Sequence, residues 1–85
     1  VVITGLGPVA PNAIGAEEFH KAQLECRSGI GRITRFDPSP LRCQIAGEVK
    51  ISPEDYLDKK EMRRLDRFVQ LALIAAGLAL QDSGL

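Results

Sequence analysis

The sequence predicts an α/β fold, and three observations lead to that prediction. Residues 1–4 are a β-branched run, and residues 43–49 alternate between two faces, both typical of strands. From Lys59 onward, apolar residues recur at helical spacing almost to the end of the chain. The 85 residues, 45% hydrophobic and 26% charged with no formal net charge, have the composition of one globular domain at most.

The first third of the chain predicts a strand, a loop and a helix. The run 1–4 is closed by Gly5 and indicates a buried strand with a tight turn after it, followed by a loop rich in Gly and Pro. Residues 16–26 have acids in their first turn and apolar residues at helical spacing, so we predict a helix of about three turns.

The middle of the chain predicts a connection and a second strand. Pro38 and Pro40 each lack a backbone donor and disfavour helix before them, so residues 30–41 are interpreted as connecting structure. In the strand 43–49, Cys43, Ile45 and Val49 share a face, and we predict that this face points into the core.

A long helix is predicted after a short turn that Ser52 caps and Pro53 opens. Asp58 with Glu61 three residues later is typical of a capping box, and Gly84 is typical of a helix end. Only Gln70 and Gly77 interrupt the apolar residues between 69 and 80. A helix that is apolar nearly all round is a buried one. Because 85 residues offer little to cover it, we expect the chain to be part of a larger protein.

The start of this predicted helix carries a basic stripe. Lys60, Arg63, Arg64 and Arg67 are spaced i, i+3, i+4 and i+7, which puts them on one helical face. A solvated helix face explains such a stripe most simply. Docking of an acidic protein is the functional alternative, because a stripe of cations can steer and orient such a partner. A nucleic-acid partner is disfavoured by the zero net charge and the lack of interleaved aromatic residues.

No residue of the chain indicates catalysis. Gly5-x-Gly7-x-x-Ala10 matches a dinucleotide fingerprint, but the helix that must follow is interrupted by Pro11, so we favour a glycine turn. His20 has no partner at motif spacing. Neither Cys26, near a helix C-terminus, nor Cys43 is predicted to be reactive. We therefore predict no catalytic residue, no cofactor and no metal.

The cellular setting follows from the cysteines and the hydropathy. Two cysteines do not form a disulfide framework and are expected to be reduced in a cytoplasmic protein. Residues 69–80 are too few to span a bilayer, which takes about 20 apolar residues. The N-terminus also lacks the pattern of a signal peptide. No membrane association is therefore expected.

Three strings, in order, carry a resemblance to a known family. They are TGLGPVAPNAIG with the EEF helix after it, RSGIGRITRFD, and IAGEV followed by YLDKKEMRRLDRFVQLAL and QDSGL. Together they resemble the N-terminal end of the β-ketoacyl-acyl carrier protein synthases, especially the synthase II type. The resemblance implies that residues 1–85 are an incomplete N-terminal part of the synthase N-terminal domain, with a layered thiolase-like fold.

The resemblance also implies an activity and partners. Family members are homodimers that condense an acyl thioester with malonyl-acyl carrier protein in a decarboxylating Claisen reaction of fatty acid biosynthesis. Their nucleophilic cysteine, in a Thr-Ala-Cys-Ser type motif, and their two histidines have no counterpart here. The family's carrier-docking cations match Lys60, Arg63 and Arg64, and Arg67 joins them on helical geometry alone.

The residues leave other functions open. A polyketide ketosynthase, or a relative that has lost its cysteine, would carry the same strings. A non-catalytic interaction domain, with the basic helix binding an acidic protein, is an alternative from a different class.

Overall fold

The computed structural model describes residues 1–85 and confirms an α/β chain of short strands and helices. Two antiparallel pairs of strands are present: β1 with β2, where Val9 faces Ile14, and β3 with β4, where Gly31 faces Ala46. A 3₁₀ turn precedes the second and third helices. In chain order the elements are β1 Val9–Ala10, β2 Ala13–Ile14, α1 Ala16–Leu24, β3 Ile30–Arg32, β4 Ile45–Gly47, the 3₁₀ turn Pro53–Asp55, α2 Lys59–Met62 and α3 Arg67–Ser83.

The strand predicted at residues 1–4 is absent, and these residues are exposed. A strand needs a neighbour for its backbone groups, and no strand of this chain lies beside them. The segment that follows lies against α3 instead. The Leu6 amide donates to Asp82 Oδ2 at 3.0 Å, and the backbones of Gly5 and Gly7 approach the backbone of α3.

These two glycines therefore allow close packing and do not form the predicted turn. A Cβ on Gly7 would lie 2.0 Å from the Ala75 carbonyl oxygen, and neither Gly5 nor Gly7 has a positive φ. The helix that a dinucleotide site requires directly after them is also missing, since β1 and β2 come first.

The helix predicted over 16–26 is confirmed as α1, which ends two residues earlier. Ala22 on α1 is fully buried. The Arg27 amide donates to the Ala22 carbonyl oxygen at 2.9 Å, and Cys26 adopts a left-handed φ of 54°. This is the arrangement of a Schellman ending, with a cysteine where glycine is usual.

The β3–β4 pair corrects two predictions. Residues 30–41, interpreted as connecting structure, begin with the strand β3, whose three residues are too few to show a period. The face of β4 is also opposite to the prediction. Cys43 and Ile45 are exposed, Ile45 at 58%, whereas Gln44 and Ala46 are half-buried. Alternation shows that a strand has two faces, but the elements packed on the sheet decide which face is inside.

The predicted long helix is broken between Met62 and Arg67. The Asp58 side chain accepts from the Lys60 amide and caps α2, as predicted, although Glu61 makes no reciprocal hydrogen bond. Asp66 has extended backbone angles and precedes α3 as its N-cap residue. The helix then ends at Gly84, whose φ of 77° is left-handed, as predicted.

The chain covers only one side of α3. Ile74 is the one buried residue of the helix, whereas Phe68, Leu73 and Leu80 are 72%, 43% and 55% exposed. Within this chain the apolar core consists of Ala22 and Ile74. The predicted need of this helix for further cover is therefore not met by residues 1–85. None of the helices combines the length and hydropathy needed to cross a membrane.

Candidate functional site

The four cations of the predicted stripe, here called the basic cluster, lie in three different elements: α2, the turn that follows it, and α3. Lys60 lies in α2, Arg63 is the C-cap residue of α2, Arg64 lies in the turn after it, and Arg67 opens α3. The prediction of one continuous helical stripe is therefore wrong. The four residues still lie within eight positions around a single turn.

Three members of the basic cluster are exposed and make no ion pair. Lys60, Arg63 and Arg64 are all exposed, and the one ion pair of the chain joins Arg27 to Glu25 at 2.6 Å. No carboxylate of the chain therefore neutralises these three charges by direct contact.

Arg67 has a different environment. It is half-buried, and its Nη2 donates to the Val49 carbonyl oxygen at 2.9 Å. The contact joins the start of α3 to the segment that follows β4. Arg67 therefore has a structural contact that the other three cations lack.

The turn between α2 and α3 is bound by a residue that sequence reasoning did not assign to the site. Gln70 is half-buried, and its Nε2 donates to the carbonyl oxygens of Met62 and Leu65 at 3.1 and 3.2 Å. The only signal in the sequence was a polar residue inside an apolar run. That signal does not show which groups the side chain reaches.

The remaining polar groups do not form a reactive site. No group of three His, Cys, Asp or Glu side chains could hold a metal ion, and both cysteines are free and exposed. The pKa of Glu48 is lowered, chiefly because its carboxylate accepts a hydrogen bond from the Thr34 amide. The pKa of Asp37 is lowered by hydrogen bonds from the Ser39 hydroxyl and amide. Both carboxylates accept hydrogen bonds from the backbone amide and the hydroxyl of one nearby residue, Glu48 from Thr34 and Asp37 from Ser39.

A comparison with models of protein families identifies the family of this chain. The family model described as "Beta-ketoacyl synthase, N-terminal domain" matches residues 1–85. The chain belongs to the β-ketoacyl synthase family. The match covers every residue described above, including the basic cluster, and it confirms the resemblance carried by the three sequence strings.

Individual relatives match along the same length. A Streptomyces halstedii protein named as a polyketide beta-ketoacyl synthase 1 is 46% identical over 86 residues, covering 100% of this chain and 20% of the relative. The 3-oxoacyl-[acyl-carrier-protein] synthase 2 proteins of Synechocystis sp. (strain ATCC 27184 / PCC 6803 / Kazusa) and Staphylococcus aureus (strain COL) are 42% and 43% identical, each covering 100% of this chain and 21% of the relative. The chain thus spans about one fifth of the length of these relatives.

A solved structure shows the same fold. The ishigamide ketosynthase/chain length factor superposes with a TM-score of 0.90 at 33% identity, over 99% of this chain and 21% of that one. The predicted class, an α/β chain forming part of a thiolase-like fold, is therefore confirmed.

Proposed function

We propose that the protein containing this chain is a 3-oxoacyl-[acyl-carrier-protein] synthase. It would condense an acyl thioester with malonyl-acyl carrier protein, with loss of CO₂, in fatty acid biosynthesis. The observation that supports this most directly is the 42–43% identity, along the whole chain, to two proteins named as that enzyme. Residues 1–85 would supply scaffold and a carrier-docking surface, and alone they would be inactive, because they contain neither a cysteine in a Thr-Ala-Cys-Ser type motif nor two histidines, which the family resemblance implies for catalysis.

The docking role is assigned to the exposed cations of the basic cluster. Lys60, Arg63 and Arg64 are unpaired within the chain, so an acidic carrier protein could pair with all three. Charges of this kind raise the association rate and fix the orientation of the partner. Arg67 adds its charge at the edge of the cluster, while its Nη2 stays bonded to Val49.

Charge reversal of Lys60, Arg63 and Arg64 to Glu in the full-length protein tests the docking role. Each lost surface pair is worth up to about 1 kcal/mol, and 1.4 kcal/mol is a factor of ten. We therefore expect KM for the carrier-bound substrate to rise about tenfold or more, and much less for a small thioester. The defect should shrink as salt rises, because ions screen exposed charges.

A matched control reverses three exposed cations outside the cluster whose side chains make no hydrogen bond, Lys21, Arg35 and Arg42, which gives the same change in net charge. That variant should change KM for the carrier-bound substrate by less than about twofold, because distant exposed charges are largely screened. If the cluster variant behaves like the control, the docking role is wrong.

A polyketide ketosynthase is the second candidate function. The 46% identity to the Streptomyces halstedii protein favours it. The two candidates differ in their products when the full-length protein receives malonyl-carrier protein without a reductase. A single 3-oxoacyl product would support the first candidate, and a chain with several consecutive keto groups would support the second.

We also propose that the full-length protein is a cytoplasmic homodimer that binds neither nucleic acid nor membranes. The family resemblance supports the dimer, and the zero net charge of the chain argues against nucleic acid. Sedimentation of the full-length protein would test the dimer.

A self-sufficient interaction domain fits less well, because only four of 85 residues are buried.

A further inference from the structure

We infer that Gln70 is a positioning residue for the basic cluster. Its side-chain amide fixes the turn between α2 and α3, and so sets where Lys60, Arg63 and Arg64 stand relative to one another. The inference rests on the proposed docking function, because it concerns how the same surface is held in place.

The turn has few hydrogen bonds of its own. The Arg64 amide donates to the Glu61 carbonyl oxygen at 3.1 Å, and the Leu65 amide donates to the Met62 carbonyl oxygen at 3.3 Å. The Leu65 carbonyl oxygen receives no backbone N–H. Its hydrogen bond comes from Gln70 Nε2 at 3.2 Å.

Gln70 binds this turn with both its side chain and its backbone. A primary amide has two N–H donors, and Nε2 uses them on the carbonyl oxygens of Met62 and Leu65. The Gln70 backbone amide donates to the Asp66 carbonyl oxygen at 3.0 Å. One residue therefore binds three carbonyl groups, at the end of α2, inside the turn and at the start of α3.

Packing does not explain a glutamine at this position. Residues 68–80 are apolar except for Gln70 and Gly77, and Gln70 is half-buried among them. Burying an amide is unfavourable unless it is hydrogen-bonded. The two carbonyl contacts meet that requirement, and they are contacts that an apolar side chain could not replace.

The consequence for docking is geometric. Arg63 and Arg64 lie at the α2 C-cap and in the turn itself, so loss of the Gln70 contacts would let them adopt further arrangements. Apparent affinity falls in proportion to the fraction of molecules in the competent arrangement. Long-range attraction depends on net charge and would change little.

The experiment replaces Gln70 with Met in the full-length protein, which keeps length and neutrality but removes both donors. The readout is the ratio of KM for the carrier-bound substrate to KM for a small thioester. We expect this ratio to rise by roughly threefold to tenfold, as the competent fraction falls. This defect acts through the placement of Lys60, Arg63 and Arg64, so it should shrink as salt rises, as the defect from charge reversal does, although no charge has changed.

The control is Gln23→Met, since Gln23 is an exposed glutamine on α1 whose side chain makes no hydrogen bond in the chain. The ratio of the two KM values for this control should equal that of the unmodified protein. If Gln70→Met folds poorly, Gln70→Asn supplies a neutral amide too short to reach both carbonyls, and it should raise the ratio in the same direction.

Amide exchange gives a readout that does not depend on docking. The amides of residues 63–65 donate to carbonyl oxygens of α2, and their exchange should become about tenfold faster in Gln70→Met, relative to the rest of the protein. Unchanged exchange there would overturn the inference, as would equal rises in KM for both substrates. If exchange quickens but the charge reversal leaves KM unchanged, the docking function has failed while the structural role of Gln70 stands.

Discussion

Replacement of Gly7 by Ala should destabilise the protein through a backbone clash. The new Cβ would lie 2.0 Å from the Ala75 carbonyl oxygen and 2.6 Å from the Ala79 amide nitrogen. Ordinary contacts of a Cβ begin at about 3.4 Å. The obstructing atoms belong to the backbone of α3, so no side-chain rotation can relieve the contact.

The magnitude follows from how far the two segments must separate. A gap of roughly 1.4 Å must open between residues 5–8 and α3, which would weaken the hydrogen bond from Leu6 to Asp82. Overpacking of a tight contact costs about 1–3 kcal/mol, and weakening a hydrogen bond to a charged group adds up to about 1.5 kcal/mol. We therefore expect a loss of about 2–4 kcal/mol in the free energy of unfolding.

Urea denaturation of the full-length protein measures this loss as a lower midpoint at unchanged slope. The control is Gly31→Ala, because a Cβ at Gly31 in β3 meets nothing within 4 Å and its φ is not positive. That control should shift stability by less than about 1 kcal/mol. If Gly7→Ala and Gly31→Ala have the same urea midpoint, the predicted backbone clash at Gly7 is wrong.

Two further predictions concern the hairpin and α3. Because hydrogen bonds from Thr34 lower the pKa of Glu48 in the folded protein, its contribution to stability is present above the ordinary glutamate pKa and is lost as pH falls through the lowered value. The protection of the Thr34 amide, meaning its exchange rate compared with that of an unstructured peptide at the same pH, should fall over that acidic range, and Glu48→Gln should abolish this fall; a protection that does not change with pH would contradict the prediction. Amides of residues 69–80 should exchange quickly in the isolated 85-residue chain, because Ile74 is the only buried residue of α3 there. The same amides should exchange slowly in the full-length protein. Strong protection in an isolated monomer would instead favour a self-sufficient interaction domain.

Local signals predicted the features that depend on neighbouring residues. The α1 helix, the cap at Asp58 and the stop at Gly84 appeared where acids, capping residues and glycine indicated them. Each depends on backbone preferences within about one turn. The family could also be recognised without coordinates, because the resemblance rests on three short strings of residues in the sequence.

The errors arose where a contact from a distant part of the chain, or its absence, decides the outcome. The run at residues 1–4 has strand propensity but no strand beside it. Cys43 and Ile45 alternate correctly, yet both side chains are exposed in this chain. Strand propensity and the side-chain period are properties of a single segment, whereas strand pairing and burial depend on a second segment that packs against it.

The basic cluster shows the same division. The sequence alone determined that four cations lie within eight residues, and hence that this part of the chain carries unbalanced positive charge. The tertiary structure decided that the helix is broken between Met62 and Arg67, that Arg67 bonds to Val49 and that Gln70 donates to two carbonyl oxygens at the turn. Charge is a property of composition, but its arrangement depends on hydrogen bonds to carbonyl groups up to 18 residues away, which spacing on an ideal helix does not reveal.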